Sequence, residues 1–379
     1  VNSLDEVIVV AYGEVKKKDI TGSVSIVKGE EMMKTASTSL DQALQGRAAG
    51  VYVTNNTGAP GSGVSIQVRG IGSIARSNEP LYVIDGIPLD NTQIANPQTG
   101  ATGDKINPMA NINPEDIESF EVLKDPASCA IYGARGANGV VLITTKRGSS
   151  GKNVVELSSY YGISKVTHTL DLMNSRQYQQ LVYEGLRKKR TPLARPLYIS
   201  DEEVEKYDTD WQDAIFRNAP TYNLNLQARG GNDRATYSIS GGYYNTEGVV
   251  INTGFERYSL RANVDLKLTE KVKLGTSLSL ARSEGQRQRN SFSSAQADNH
   301  KQTGGPVVMS ALTSSPVYPV YDSLGDYGID LRNKAIANPV MLAKEQSLDY
   351  FTNRVIGNAY LDWEIIDGLT FHTLFGTDL

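Results

Sequence analysis

Two glycine-rich stretches, three histidines and one acidic loop are the places where residue type and spacing could support chemistry. Gly70-Ile71-Gly72-Ser73-Ile74-Ala75 follows a strand-like run and fits the loose dinucleotide pattern G-x-G-x-x-A. A pyrophosphate site needs a helix N-terminus directly after those glycines, whereas Arg76-Ser77-Asn78-Glu79-Pro80 is a turn sequence leading to another strand. Gly58-Ala59-Pro60-Gly61-Ser62-Gly63 lacks the Lys and Ser/Thr of a phosphate loop and reads as a bend. His168, His300 and His372 stand far apart with no i,i+4 partner, and a single cysteine makes no pair, so no zinc centre is expected. Residues 322–330 are acidic, but Leu324 occupies the place where a calcium loop requires an oxygen ligand. Cys129, between Ser128 and Ala130 in a short helix, reads as a small core residue. No G-x-S-x-G elbow or singled-out carboxylate pair is present, so no catalytic residue, metal or cofactor is expected and the chain does not read as an enzyme.

Elsewhere the signals are structural. The 379 residues carry 38 Lys+Arg against 42 Asp+Glu, a net charge of −4 that gives no support for nucleic-acid binding. The longest apolar run, residues 7–12, is far short of the ~18 residues a spanning helix needs. A membrane barrel stays open, because its strands need only ~9–11 residues of alternating polarity. Tyrosine suits a water and lipid boundary, and 20 Tyr outnumber 7 Phe and 2 Trp. No basic-plus-apolar secretory leader opens the chain, so position 1 reads as an internal or mature start.

The pattern changes near residue 150. Before it, short β-rich runs (51–53, 65–68, 81–84, 120–123 and 140–144) mix with short helices, one over 39–45 and one starting at Asn113-Pro114-Glu115-Asp116, which predicts a compact α/β unit. After it, seven segments alternate with period two. Tyr222, Leu224 and Leu226 face away from Asn223, Asn225 and Gln227, and Tyr258, Leu260, Ala262 and Val264 from Ser259, Arg261 and Asn263. Connections at 230–234 and 269–271 are tight, while 167–220, 245–256 and 282–350 are long, as in outer-membrane barrels. Helical signals after Asn174-Ser175 and in the capping box Ser200-Asp201-Glu202-Glu203 decorate the first long loop. A soluble sandwich is the competing reading of this periodicity.

At the N-terminus, Leu4 to Gly13 form a β-branched stretch that either lies as an ordinary first strand or stays detachable and adds to a partner's sheet edge. Residues 5–13 (DEVIVVAYG), 66–70 (IQVRG), 80–88 (PLYVIDGIP), 112–125 (INPEDIESFEVLKD), 130–146 (AIYGARGANGVVLITTK), 209–217 (TDWQDAIFR) and 237–243 (YSISGGY) resemble the SusC/RagA-type TonB-dependent outer-membrane transporters. The resemblance implies an α/β plug at 21–150, preceded by a TonB-box region and linker at 1–20 and followed by antiparallel transmembrane β-barrel strands with long extracellular loops at 151–379. It implies active import of oligosaccharides or peptides across the lipid of the outer membrane of a Gram-negative, Bacteroidetes-type cell. TonB would pull a box placed at Asp5, Glu6, Val7, Ile8, Val9 and Val10, and a SusD-like surface lipoprotein would cap the barrel. Arg69, Gly70, Asp85, Gly86, Arg135 and Gly139 fall in the plug signatures and are expected to be structural; the two arginines either touch barrel acids or organise turns. Ligand-contacting residues are not expected from the motifs. Barrels of this kind have about 22 strands, so seven candidates read as a fragment of one. A siderophore or cobalamin receptor and a secreted β-rich adhesion module are the alternatives.

Overall fold

The computed structural model describes residues 7–10, 13–16, 24–32, 44–55, 57–70, 78–90, 94–95, 105–188, 198–288, 306–330, 332 and 336–379. Asp5, Glu6, His300, the segment 71–77 and most of the helix expected at 39–45 lie outside them; Leu44 and Gln45 form part of a turn. The N-terminal half contains β1 (Val7–Val10), β2 (Gly13–Lys16), β3 (Val24–Lys28), β4 (Val51–Asn55), β5 (Val64–Val68), β6 (Leu81–Ile84) and β7 (Ile87–Pro88). It continues with β8 (Ile94–Ala95), β9 (Lys105–Ile106), β10 (Ile117–Leu123) and β11 (Val140–Thr145). A five-stranded sheet of order β3-β10-β11-β6-β7 is its centre, with β4-β5 as a separate pair. Continuous apolar runs in β6 and β11 are buried throughout or nearly so, and Phe120, Val122, Tyr82, Ile84 and Met109 pack into one core. Cys129 belongs to a neighbouring cluster with Leu81 and Val140, its thiol pushed up by burial, which agrees with the core reading.

The helix expected from Asn113 is a single 3-10 turn, Pro114–Asp116, capped by the Asn113 side chain on the Glu115 amide. It stops because the chain pairs with β11 from Ile117 and with β3 from Ser119, both as far as Leu123, and two rows of ladder hydrogen bonds outweigh one more helical turn.

The second half is one antiparallel seven-stranded sheet in sequence order: β12 (Gly151–Ser164), β13 (Ala219–Gly231), β14 (Ala235–Glu247), β15 (Gly254–Lys267), β16 (Val272–Gln288), β17 (Ser347–Ile366) and β18 (Leu369–Asp378). All seven candidates are present, and several run longer than the alternation suggested. The connection expected at 245–256 shrinks to residues 248–253, since Thr246 pairs with Phe255 and Glu247 with Gly254. Long and short connections still alternate.

Which face is covered decides what the sheet is. Val155, Leu157, Leu224, Leu226, Ile239 and Leu260 are exposed, whereas Asn225, Gln227, Ser240, Arg261 and Asn263 are buried. Polarity is therefore inverted relative to a soluble sandwich: the N-terminal domain lies against the wet face, and the oily rows meet no second layer among the described residues. An apolar face of this extent requires a non-aqueous neighbour. The 379-residue chain is expected to remain dispersed only in detergent, and a monodisperse detergent-free monomer by light scattering would contradict the lipid-facing assignment.

The long connections are not loose decoration. Helices Ser175–Lys188, Asp201–Lys206 and Trp211–Ile215 lie in the first, and Val307–Thr313 and Pro339–Glu345 in the third. Trp211, Ile215, Val307, Ala311, Tyr318 and Val340 share a core, with the Trp211 and Tyr318 rings 4.8 Å apart and the indole donating to the Ser315 carbonyl at 2.9 Å. Asn252, from the short second connection, donates to the Ala343 carbonyl at 3.1 Å. Three connections thus form one cap at the same end of the sheet.

Candidate functional site

The seam between the N-terminal domain and the wet face of the sheet concentrates the buried polar chemistry. Its centre is set by a hairpin. Asp85 and Gly86 join β6 to β7 with φ of +45° and +87°, the two positive values a type I′ turn demands and an Asp-Gly pair supplies. The turn aims the Asp85 carboxylate at β15, where Oδ2 accepts from Arg261 Nη2 at 2.5 Å and from Thr145 Oγ1 at 2.7 Å. Arg261 also donates to Ser277 Oγ at 2.8 Å, so one guanidinium ties β6, β11, β15 and β16 together. Both side chains of the ion pair are almost fully buried, at 6% and 3% exposure. Screening by salt is weak there, and the partners depend on one another for solvation.

A second attachment is the Asn113–Asp116 turn. Asn113 donates to Asn225 at 3.1 Å, Glu115 accepts from Ser158 and Asn223, and Asp116 accepts from Ser240 at 2.5 Å. These three polar residues reach β12, β13 and β14, and Arg257 on β15 donates to the carbonyls of Ala110 and Ile112. Burial holds the Asp116 carboxyl above its usual range, against the opposing pull of Ser240, Arg261 and Arg257.

Gly242 makes this approach possible. A Cβ there would lie 2.7 Å from both Asn113 Nδ2 and Ser259 Oγ. Gly242→Val is expected to push the Asn113 turn off the wall and lower stability by about 1–3 kcal/mol. Thermal melting of the full-length protein beside Gly241→Ala, whose outward Cβ meets nothing within 4 Å, would show it; equal melting of the two variants would refute this docking role.

The remaining signature residues shape the N-terminal domain itself. Arg69 and Gly70 turn the chain after β5 with φ of +59° and +94°, and the Arg69 amide donates to the Gly50 carbonyl at 3.0 Å. Gly139 adopts φ of +94° where a Cβ would crowd Val68. Arg135 Nη2 donates to the Leu89 carbonyl at 3.4 Å, a contact within the domain. Among the described residues neither arginine meets a barrel acid; of the ion pairs across the seam, Asp85–Arg261 has the acid on the N-terminal domain and the arginine on the wall, whereas Arg147–Asp265, at 2.7 Å, has the arginine on the N-terminal domain and the acid on the wall. Arg257, Arg261, Arg287 and Arg354 were not singled out as site residues, although inward parity on alternating strands was the signal that could have found them.

Val7–Val10 pairs antiparallel with Gly13–Lys16 as a two-stranded sheet separate from the five-stranded one. The bend at 58–63 packs Gly61 against Phe255 and gives its carbonyl to Arg287, a wall contact in place of a phosphate site. Asp322 Oδ1 accepts from the Leu324 and Asp326 amides at 2.8 and 3.0 Å, and no group of three metal-ligating side chains occurs among the described residues. No helix among the described residues is long and apolar enough to cross a membrane, which says nothing of strands.

Comparison with known proteins agrees with this architecture. A family model described as the TonB-dependent Receptor Plug Domain matches residues 16–140. The chain is 37% identical over 376 residues to TonB-dependent receptor P3 of Formosa agariphila, covering 99% of this chain and 34% of that protein. It is 37% identical over 262 residues to TonB-dependent receptor SusC of Bacteroides thetaiotaomicron, covering 69% of this chain and 24% of SusC. Among solved structures, the RagAB peptide importer in its open-open state superposes with a TM-score of 0.77 at 26% identity, covering 98% of this chain and 42% of that one. The chain spans about a third of the length of the curated relatives it matches most fully.

Proposed function

Because the chain belongs to the SusC/RagA type of TonB-dependent transporters, we propose that it supplies the plug and seven wall strands of an active importer of bulky nutrients, oligosaccharides or peptides. The observation that carries this reading is the inverted sheet, with its wet face filled by the α/β domain and its oily face left for lipid. Residues 1–20 are the TonB-box region and linker, 21–150 the plug, and 151–379 part of an outer-membrane barrel of about 22 strands. Arg69, Gly70, Asp85, Gly86, Arg135 and Gly139 serve the plug's structure, Asp85 by fastening it to the wall.

Transport follows from these parts. Ligand enters from the side of the long connections, where a SusD-like lipoprotein closes the barrel. Its contacts with the plug are transmitted toward the N-terminal segment, where Val7–Val10 leaves its hairpin partner and pairs instead with a strand of TonB. Exchange of one set of backbone hydrogen bonds for another costs little and gives a mechanical handle independent of side-chain chemistry. RagAB favours peptide as cargo, and the SusC likeness keeps oligosaccharides beside it. Native mass spectrometry of the complex purified from its own membrane would separate the two. A siderophore receptor would lack the lid, so absence of any co-purifying lipoprotein would reject the SusC-type assignment.

A further inference from the structure

Two glycines of β16 stand where no backbone conformation asks for them. Gly275 and Gly285 lie inside a strand paired on both sides, and neither has a positive φ. Glycine in such a place weakens a strand. Each lies directly between a residue of β15 and a tyrosine of β17: Asp265, Gly275 and Tyr360 form one row, and Phe255, Gly285 and Tyr350 another. A Cβ on Gly275 would overlap the Tyr360 ring, and one on Gly285 would overlap the Tyr350 ring. The absent side chains thus let each tyrosine reach over β16 on the wet face.

Both rows seat a piece of the N-terminal domain. In the lower row, near the tight turns, Tyr360 donates its hydroxyl to Asp265 Oδ1 at 2.8 Å. The same oxygen accepts from Arg147 Nη1 at 2.7 Å, and the Arg147 guanidinium lies 5.4 Å from the centre of the Tyr360 ring. In the upper row, near the long connections, Gly61 sits against the other two residues: a Cβ on it would lie 2.5 Å from Phe255 Cδ2 and 3.0 Å from the Tyr350 hydroxyl. Arg287 closes this seat by donating to the Gly61 carbonyl and, at 2.9 Å, to the Tyr350 hydroxyl. The seats are ten residues apart along each strand, about 34 Å.

What would release them differs. Arg147 belongs to the linker 146–150, which the wall holds at nearly every step. Lys146 gives its carbonyl to Asn263 at 2.9 Å, Gly148 lies where a Cβ would come 2.7 Å from the Tyr237 carbonyl carbon, and Ser150 donates to Asp233 at 2.9 Å. Gly151 then continues as β12, so this end of the domain is covalently joined to the wall. Gly61 has no such continuity, and its seat grips a backbone carbonyl through a guanidinium and two rings.

We infer that the two seats divide the work of holding the plug. Tyr350 and Arg287 form a release point on the ligand side, while Tyr360 positions Asp265 so that the linker 146–150 stays fixed as the hinge on which the plug turns when the pore opens. The inference rests on the plug-in-barrel reading, and two probes test it without a known cargo. Vancomycin sensitivity of cells carrying the full-length protein reports an open pore, and tryptic cleavage after Arg147 in the purified full-length protein, followed by mass spectrometry, reports a loosened linker.

Tyr360→Phe keeps the ring over Gly275 and removes only the hydroxyl bound to Asp265. It is expected to speed cleavage after Arg147 roughly tenfold and to leave cells resistant to vancomycin. Arg287→Gln and, independently, Gly61→Ala, whose Cβ would strike Phe255, are expected to lower the inhibitory concentration of vancomycin roughly tenfold and to leave cleavage after Arg147 at the wild-type rate. Unchanged cleavage in Tyr360→Phe would show that the ring merely fills the space over Gly275, and would overturn its positioning role. Vancomycin entry through Tyr360→Phe, resistance in both upper-seat variants, or faster cleavage in them would overturn the division into release point and hinge. A form lacking residues 21–150 marks the fully open barrel; if cells carrying it also resist vancomycin, the plug-in-barrel reading itself fails.

Discussion

Deleting residues 5–10 from the full-length protein is expected to abolish uptake and to leave ligand binding at the wild-type level. Binding is expected to survive because on the proposed route the ligand would meet the cap, the wall and the plug, whereas Val7–Val10 stands apart from the five-stranded sheet in a hairpin of its own. Uptake is expected to stop because no other part of the proposed machine gives TonB a strand to hold. Cells carrying the deletion would bind labelled ligand at the surface and accumulate none. Wild-type accumulation by the deletion variant would reject the placement of the box. Replacing Val9 alone is a weaker test, since pairing through the backbone tolerates side-chain changes.

The second large effect is expected at the buried ion pair. Asp85→Asn keeps the shape of the residue, and asparagine tolerates the φ of +45° at this turn, so the substitution isolates the charge. It leaves the Arg261 guanidinium uncompensated in a site of 6% exposure. Removing one partner of such a pair typically costs about 3–5 kcal/mol. The plug would then unseat readily, and cells would admit large hydrophilic antibiotics that an intact outer membrane excludes. Asp85→Asn combined with Arg261→Met is expected to recover much of the loss, because no charge is then stranded. If single and double variants are equally leaky, loss of the contact rather than a stranded charge is the cause; if the single variant is as tight as wild type, the pair has no fastening role and the other attachments, the Asn113–Asp116 turn and the Arg147–Asp265 pair among them, hold the plug.

These two sites differ in how far they could be read from residue order. The type I′ turn at Asp85-Gly86 is a two-residue signal between strand-like runs, and the motif around it carried the family resemblance. Its partner is not a local matter: Arg261 lies 176 positions away, on a strand where inward parity alone marked it. The same holds for the cap. Helix starts at Ser175 and Ser200 were legible from capping residues, but the core joining Trp211 to Tyr318 depends on two connections meeting above the sheet. Asn113 was legible as a cap and misleading as to length, since the strand pairing that ends its helix comes from residues 24–28 and 140–145.

By itself, the amino-acid order determined the two halves, the seven alternating ribbons, their tight and long connections, and the motifs of a plugged transporter. Period-two alternation is a property of neighbouring residues, because successive side chains must leave a strand on opposite faces. It cannot say which face is covered, since burial belongs to whatever packs there. Only the tertiary structure decided that the asparagines, serines and arginines are the buried rows and the leucines and tyrosines the exposed ones. Water-soluble proteins settle that choice the other way, and here it is reversed because polar plug groups solvate the wet face while the oily face is left for hydrocarbon.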